Sequence, residues 1–214
     1  TAPEIGAEFF ELTAVPDLSP RYNIAPTQPA PAILLTPERA QRVLRPLRWG
    51  LIPGWAKDPT IGNRMINARA ETVAEKPAFR SAFRQRRCLV VSDGFYEWKK
   101  GPGRKQPFYI RMRDDRPFAF AGLWEHWEAD DGTGIDSCAL LTTQPNHVLR
   151  PIHDRMPVIL DRANYDLWLD PTMADVDRLK PLLCPYRAEE MKAYPVGTRV
   201  NSPTRDDPAC MEPA

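Results

Sequence analysis

Twenty-four prolines spread through 214 residues constrain this chain more than any other feature. Each fixes its own φ, removes a backbone donor and turns the preceding residue away from helix. Many bracket short apolar runs, so the chain reads as many short elements joined by rigid turns. The most informative run is Arg86–Trp98, R-R-C-L-V-V-S-D-G-F-Y-E-W. Cys88–Val91 is wholly apolar and β-rich, the pattern of a strand buried on both faces. Ser92-Asp93-Gly94 breaks it with turn chemistry. Phe95, Tyr96 and Trp98 then crowd one carboxylate, Glu97. A glutamate among aromatics is costly to keep ionised, so it is expected to hold a proton nearer neutral pH. The alternative is a surface glutamate on an edge strand whose neighbours alternate into the core.

The length suits one domain with a real core. A composition of 43% hydrophobic and 27% charged residues is that of a soluble globular protein. The longest apolar runs, Cys88–Val91 and Phe118–Leu123, are far too short to cross a bilayer. Cys88, Cys138, Cys184 and Cys210 are widely spaced, and the three histidines do not cluster. No disulfide framework, metal site or cofactor is expected, and a reduced, cytoplasmic setting fits, nucleoid-associated in a bacterium.

A net charge of +1 conceals a division. Arg39–Arg113 holds 18 Lys and Arg against 5 Asp and Glu, and the remainder 11 against 23. Such asymmetry suits a face for a polyanion, nucleic acid being the commonest; a solvated mixed surface after folding is the alternative. Trp49, Trp55, Phe95, Tyr96 and Trp98 lie within the basic segment. Aromatics interleaved with arginines suit single-stranded nucleic acid.

In chain order, Ile5, Phe9 and Leu12 predict an amphipathic helix over 3–12. A polar loop, Arg21–Gln28, precedes strands at 32–35 and 43–49. Gly50–Trp55 reads as a rigid loop presenting Trp55, with a buried packing tryptophan as the alternative. Asn67 and Arg69, two apart on an extended segment, share one face; an amide and a forked guanidinium there suit reactant orientation or phosphate contact. Phe79 and Phe83 predict a basic helix over 77–86. Strands are expected at 108–112, 117–124, 137–142, 158–160 and 194–200, with an exposed hairpin tip at 101–105. Helices are expected to Leu169, capped by Asp161, and over 175–183, and 201–214 reads as a polar tail. His153, between Asp154 and Arg155 and framed by Pro151 and Pro157, is a candidate acid/base, a lone surface histidine being the alternative.

Four pieces stand in order: R-W-G-L-I-P-G-W at 48–55, I-N-A-R-A-E-T at 66–72, D-G-F-Y-E-W at 93–98 and H-D-R-M-P at 153–157. Together they resemble the SRAP family, the SOS-response-associated peptidases that process abasic sites in single-stranded DNA. The resemblance runs from Arg21 to Pro203. It implies one α+β domain with a bent, barrel-like antiparallel sheet surrounded by short helices, the basic segment lining a groove. It also implies a chemistry. Family members begin Met-Cys-Gly-Arg, and removal of Met frees an amino-terminal cysteine. Its amine attacks the aldehyde of an open abasic sugar and its thiolate closes a thiazolidine. By matching motif, Asn67 would orient amine and sugar, Glu97 would shuttle protons, and His153 would assist ring opening or protonate the departing oxygen. Arg48, Arg69 and Arg155 would contact phosphates, and Trp49 and Trp55 would wedge or stack against flanking bases.

This sequence starts Thr1-Ala-Pro-Glu and has no cysteine before Cys88. Cys88 lies in an apolar strand and is a poor substitute nucleophile. The expectation is that the family's leading residues lie ahead of Thr1, and that residues 1–214 carry the groove and the acid/base groups without the nucleophile. The expected partner is single-stranded DNA containing abasic sites, bound by a monomer without membrane or metal. A non-covalent single-strand binding module and a peptidase acting on other proteins are the rival readings. No G-x-S-x-G elbow is present, against a serine hydrolase.

Overall fold

The computed structural model describes residues 1–14, 17–36 and 41–214. Its elements are α1 (Pro3–Phe10), β1 (Pro29–Leu35), β2 (Arg42–Trp49), β3 (Asn67–Arg69), α2 (Arg80–Gln85), β4 (Arg87–Ser92), β5 (Gly94–Lys99), β6 (Gln106–Met112), β7 (Phe118–Glu128), β8 (Gly134–Thr143), β9 (Met156–Pro157), α3 (Tyr165–Leu169), α4 (Val176–Leu179) and β10 (Met191–Pro195). Short 3-10 turns join several of them.

Strands β2-β1-β4-β7-β8 run side by side, antiparallel at every step, and β2 pairs back onto β8 through Arg48–Ser137 and Trp49–Cys138. That parallel junction closes the sheet into a barrel-like ring. Beyond it, β3 continues along the same edge of β8, and β9 takes the opposite edge at Thr142 and Thr143. A second, three-stranded sheet has the order β10-β6-β5. Only Asp93 separates β4 from β5, so the chain steps from ring to second sheet within one residue.

The expected double burial of β4 is present. Leu89 packs with Phe83 and Trp168 in one core, while Cys88 and Val90 pack with Ile110 and Met112 of β6 in another. Arg87 ties this strand to two helices. Its guanidinium donates to the carbonyls of Phe83 and Arg84 in α2 and of Trp168 in α3, each at 2.7 Å, and lies 5.7 Å from the Trp168 ring. Carbonyls at helix C-termini lack partners of their own and solvate the charge. Burial nonetheless pulls the Arg87 pKa down to about 10.

Several expected elements differ in extent, among them the helix over 175–183, which ends at Leu179 and passes into a 3-10 turn. The helix over 77–86 shortens to Arg80–Gln85, because Pro77 precedes a hydrogen-bonded turn that hands over at Phe79. The strand at 158–160 moves to Met156–Pro157, and Ile159 makes a single bridge to Phe120. Asp161 does not cap a helix; its carboxylate accepts from Arg187 at 2.7 Å, and a 3-10 turn precedes α3. The last strand is Met191–Pro195, where Met191 pairs with Met112, and residues 198–201 form a 3-10 turn after Gly197.

Residues 201–214 pack against the second sheet. Cys210 is buried, Tyr194 donates to the Met211 carbonyl at 3.0 Å, and Ala214 N–H donates to Pro195 at 3.0 Å. Asp206 accepts the backbone N–H groups of Tyr22 and Asn23 at 2.5 and 2.8 Å. The Asn23 amide in turn donates to the carbonyls of Val200, Ser202 and Arg205. The C-terminal stretch therefore fixes the Arg21–Gln28 loop.

Candidate functional site

Between the ring and the second sheet lies a cleft of about 1700 Å³. Asp93, Gly94, Phe95, Tyr96, Glu97 and Trp98 all line it. Successive strand residues point to opposite faces, so the cleft runs along the edge of β5 and not over one face.

Asn67 enters from β3, Glu97 from β5 and His153 from the 151–155 turn, and all three line this cleft. Asn67 and Arg69 flank buried Ala68, so both project to the same exposed side as their spacing predicts. Parallel pairing of β3 with Leu140–Thr142 holds them there. Burial pushes the Glu97 carboxyl above its ordinary value of 4.5. The charge of His153 and the Trp98 backbone N–H hold that rise back, and Asp154 adds to it. Desolvation, the cause expected from the sequence, is the largest one. His153 is half-buried; its Nδ1 lies 3.1 Å from the Arg155 N–H, 3.2 Å from the Arg155 carbonyl and 3.3 Å from the Asp154 carboxylate. Nε2 has no protein partner among the described residues.

The other sequence candidates separate. Trp49 lines the cleft where β2 closes onto β8, and its Nε1 donates to the Ile66 carbonyl at 2.9 Å. Arg69 lines the cleft and is exposed. Arg155 lines it too, but its two terminal nitrogens donate to both Glu71 oxygens at 2.7 and 2.8 Å and to the Thr142 carbonyl at 2.6 Å. Arg48 is not in the cleft wall. It donates to Asn63 at 2.6 Å and to the Gly50 carbonyl at 3.2 Å, clamping the loop that follows β2. Trp55 is also outside the cleft wall and is 62% exposed. Its loop is held by buried Trp127, which donates to the Ala56 carbonyl at 2.6 Å.

The expected basic lining is corrected as well. Of the described basic residues between 42 and 113, only Arg69 and Arg111 line the cleft. Arg42 and Arg87 are buried as structural ties, and Arg80 and Arg84 lie on α2 away from the cleft wall; Arg39 falls outside the described residues. Charge segregation along the sequence does not survive as one basic wall. Two residues carried no weight as site residues in the sequence reading, Asp93 in the cleft wall and Glu71 outside it. Asp93 sits 2.6 Å from the Thr1 amine, and Glu71 grips Arg155. Both stood inside the quoted motifs.

Residues 2–203 match the family described as SOS response associated peptidase, SRAP. The chain belongs to that family. It is 47% identical over 194 residues to the abasic site processing protein YoqW of Bacillus subtilis, covering 90% of this chain and 86% of that one. It is 32% identical to the abasic site processing protein HMCES of Xenopus tropicalis, covering 90% and 65%. A crystal structure of a Bacteroides thetaiotaomicron protein superposes with a TM-score of 0.79 at 32% identity, covering 88% and 82%. Another, of a Bordetella bronchiseptica protein, gives 0.79 at 27%, covering 91% and 95%. The SRAP fold expected from the motifs is therefore the one observed. Among the described residues no group of three or more His, Cys, Asp and Glu is placed to hold a metal ion, and no helix is long and apolar enough to cross a membrane.

Proposed function

We propose that this SRAP-family chain processes abasic sites in single-stranded DNA, with the open sugar entering the cleft between Asn67, Glu97 and His153. The observation that carries this is that those three side chains, from three separate segments, line one cleft. Relatives named for abasic site processing, 47% and 32% identical, support the substrate.

The proposed chemistry needs an amine, a proton carrier and an orienting group. An α-amine adds to the sugar aldehyde, and loss of water gives an imine; a neighbouring thiolate then adds to the imine carbon and closes a thiazolidine. Glu97, whose carboxyl is raised toward neutrality, protonates the departing hydroxyl. Unpartnered Nε2 of His153 serves the ring oxygen as the sugar opens. The Asn67 amide, able to donate and accept, holds the sugar and amine in register. Arg69 is the proposed phosphate contact in the cleft, and Trp49 the proposed stacking surface. Thr1 lines the same cleft, which supports a nucleophile on residues ahead of it. The same groups would assist hydrolytic release of a leading Met.

The test compares the 214-residue chain with a form carrying the family's Cys-Gly-Arg start ahead of Thr1. Each is mixed with a single-stranded oligonucleotide bearing one abasic site and run on a denaturing gel. A heat-stable shift with the extended form alone is expected. A shift with the 214-residue form would overturn the amino-terminal nucleophile, and no shift with either would leave non-covalent binding.

A further inference from the structure

We propose that Glu71 is a positioning residue which, through Arg155, fixes the tautomer and direction of His153 in the cleft. His153 Nδ1 faces competing neighbours. The backbone N–H of Arg155, at 3.1 Å, requires a lone pair there and so places the ring proton on Nε2. The Arg155 carbonyl at 3.2 Å and the exposed Asp154 carboxylate at 3.3 Å favour the opposite tautomer, with the proton on Nδ1. Which side prevails depends on how firmly the main chain at 155 is held.

The Arg155 side chain supplies that hold. Its fork engages both Glu71 oxygens at 2.7 and 2.8 Å, and Nη2 also donates to the Thr142 carbonyl at 2.6 Å. Thr142 sits in β8 with Arg69 of β3 paired on one side and Pro157 of β9 on the other. The Glu71–Arg155 pair therefore spans β8 at this point. It joins the segment after Asn67 and Arg69 to the turn that carries His153. Arg155 hydrogen bonding keeps the Glu71 carboxyl below its ordinary value, so Glu71 stays ionised through the neutral range. A bidentate arginine–carboxylate contact is directional in a way a single ion pair is not. Arg155 then acts on the reaction through His153 and is not a free phosphate ligand.

The use made of the oriented ring rests on the abasic-site reading, but the test needs no DNA. Long-range proton–nitrogen correlation on the 214-residue chain, labelled at histidine and held where the imidazole is neutral, reports the tautomer directly. Wild type is expected to show His153 as the single Nε2–H form. Glu71→Ala should lose that single form and populate the Nδ1–H tautomer. Arg155→Lys, which keeps the charge but not the fork, should do the same, and the double variant should add nothing further. An unchanged His153 pattern in either single variant overturns the proposal, as does an additive double variant. Arg155→Lys decides alone where Glu71→Ala does not fold. An unmoved ring and a missing DNA adduct are separate results.

Discussion

Glu97 and His153 are electrostatically linked across the cleft: burial raises the Glu97 carboxyl, and charge on His153 draws it back. Two consequences follow from the sign. The folded protein keeps the Glu97 proton at pH values where the unfolded chain has lost it, so this group's contribution to stability is present below 4.5 and disappears as pH rises through the raised folded value. At neutral pH the ionised carboxylate is a burden on the fold. Glu97→Gln should raise Tm at neutral pH and leave it unchanged below 4.5, while abolishing the DNA adduct in the form that carries the Cys-Gly-Arg start. Removing the histidine charge, as in His153→Ala, should move the Glu97 carboxyl further up in a carbon-13 NMR titration. A titration that stays in place would show that the two groups are not coupled.

Arg69 and Arg48 should separate in salt titrations of single-stranded DNA binding. Arg69 is exposed in the cleft wall, and a phosphate contact there adds about 0.7 to the slope of log affinity against log salt. Arg69→Ala should lower the slope by that amount. Arg48 is committed to Asn63 and Gly50, so Arg48→Ala should leave the slope alone. It should instead cost about 1 kcal/mol for each hydrogen bond lost. The reverse pattern would place the phosphate at Arg48.

These two arginines also show how far the sequence was readable. Asn67 and Arg69 lie on one face because strand geometry is local, and a spacing of two is enough to see it. The direction of the Glu97 shift was legible too, since burial is its largest cause. What the sequence does not display is partnership at long range. Arg155 meets Glu71 across 84 residues, and Asp206 meets the amides of Tyr22 and Asn23 across more than 180. Those contacts pair a candidate phosphate ligand with Glu71 and make a polar tail the support of a loop. The last strand was misplaced although Met191 and Ala193 pack toward a core while Lys192 reaches Asp115. The alternation was there, but Gly197 and a 3-10 turn end the strand sooner than the apolar pattern suggests.

Gly50 and Gly62 are backed against each other beneath the Trp55 loop. A Cβ on Gly62 would lie 2.6 Å from the Gly50 carbonyl oxygen and 2.9 Å from Ile52, and one on Gly50 would lie 2.5 Å from the Gly62 oxygen at a φ of +135°. Neither carbonyl can retreat freely, because Arg48 holds Gly50 and the Met65 N–H donates to Gly62. Gly62→Ala should therefore cost about 1–3 kcal/mol by overpacking. Limited proteolysis should then cut within 53–64 faster than in the parent. A variant as resistant as the parent would show that the loop does not depend on this contact.

Arg87 should be the least replaceable charge in the molecule. It is buried beside Trp168, faces three helix carbonyls at 2.7 Å and donates to the Asp170 carbonyl, with no carboxylate hydrogen-bonded to it among the described residues. Arg87→Ala removes the donor those buried carbonyls share and should cost about 1–3 kcal/mol for each one left unsatisfied. Arg87→Lys keeps a charge but cannot reach two helices from one ammonium, so it should fall between. Urea melts followed by tryptophan fluorescence and by far-UV circular dichroism rank the three proteins. A stable Arg87→Ala would mean that α2 and α3 hold to β4 by apolar packing alone. The order matters for function because β4 runs, across Asp93, directly into the strand bearing Glu97. Loosening Arg87 should therefore lower processing as stability falls, without changing the salt slope of DNA binding, whereas losing Arg69 changes the slope and leaves the melt in place.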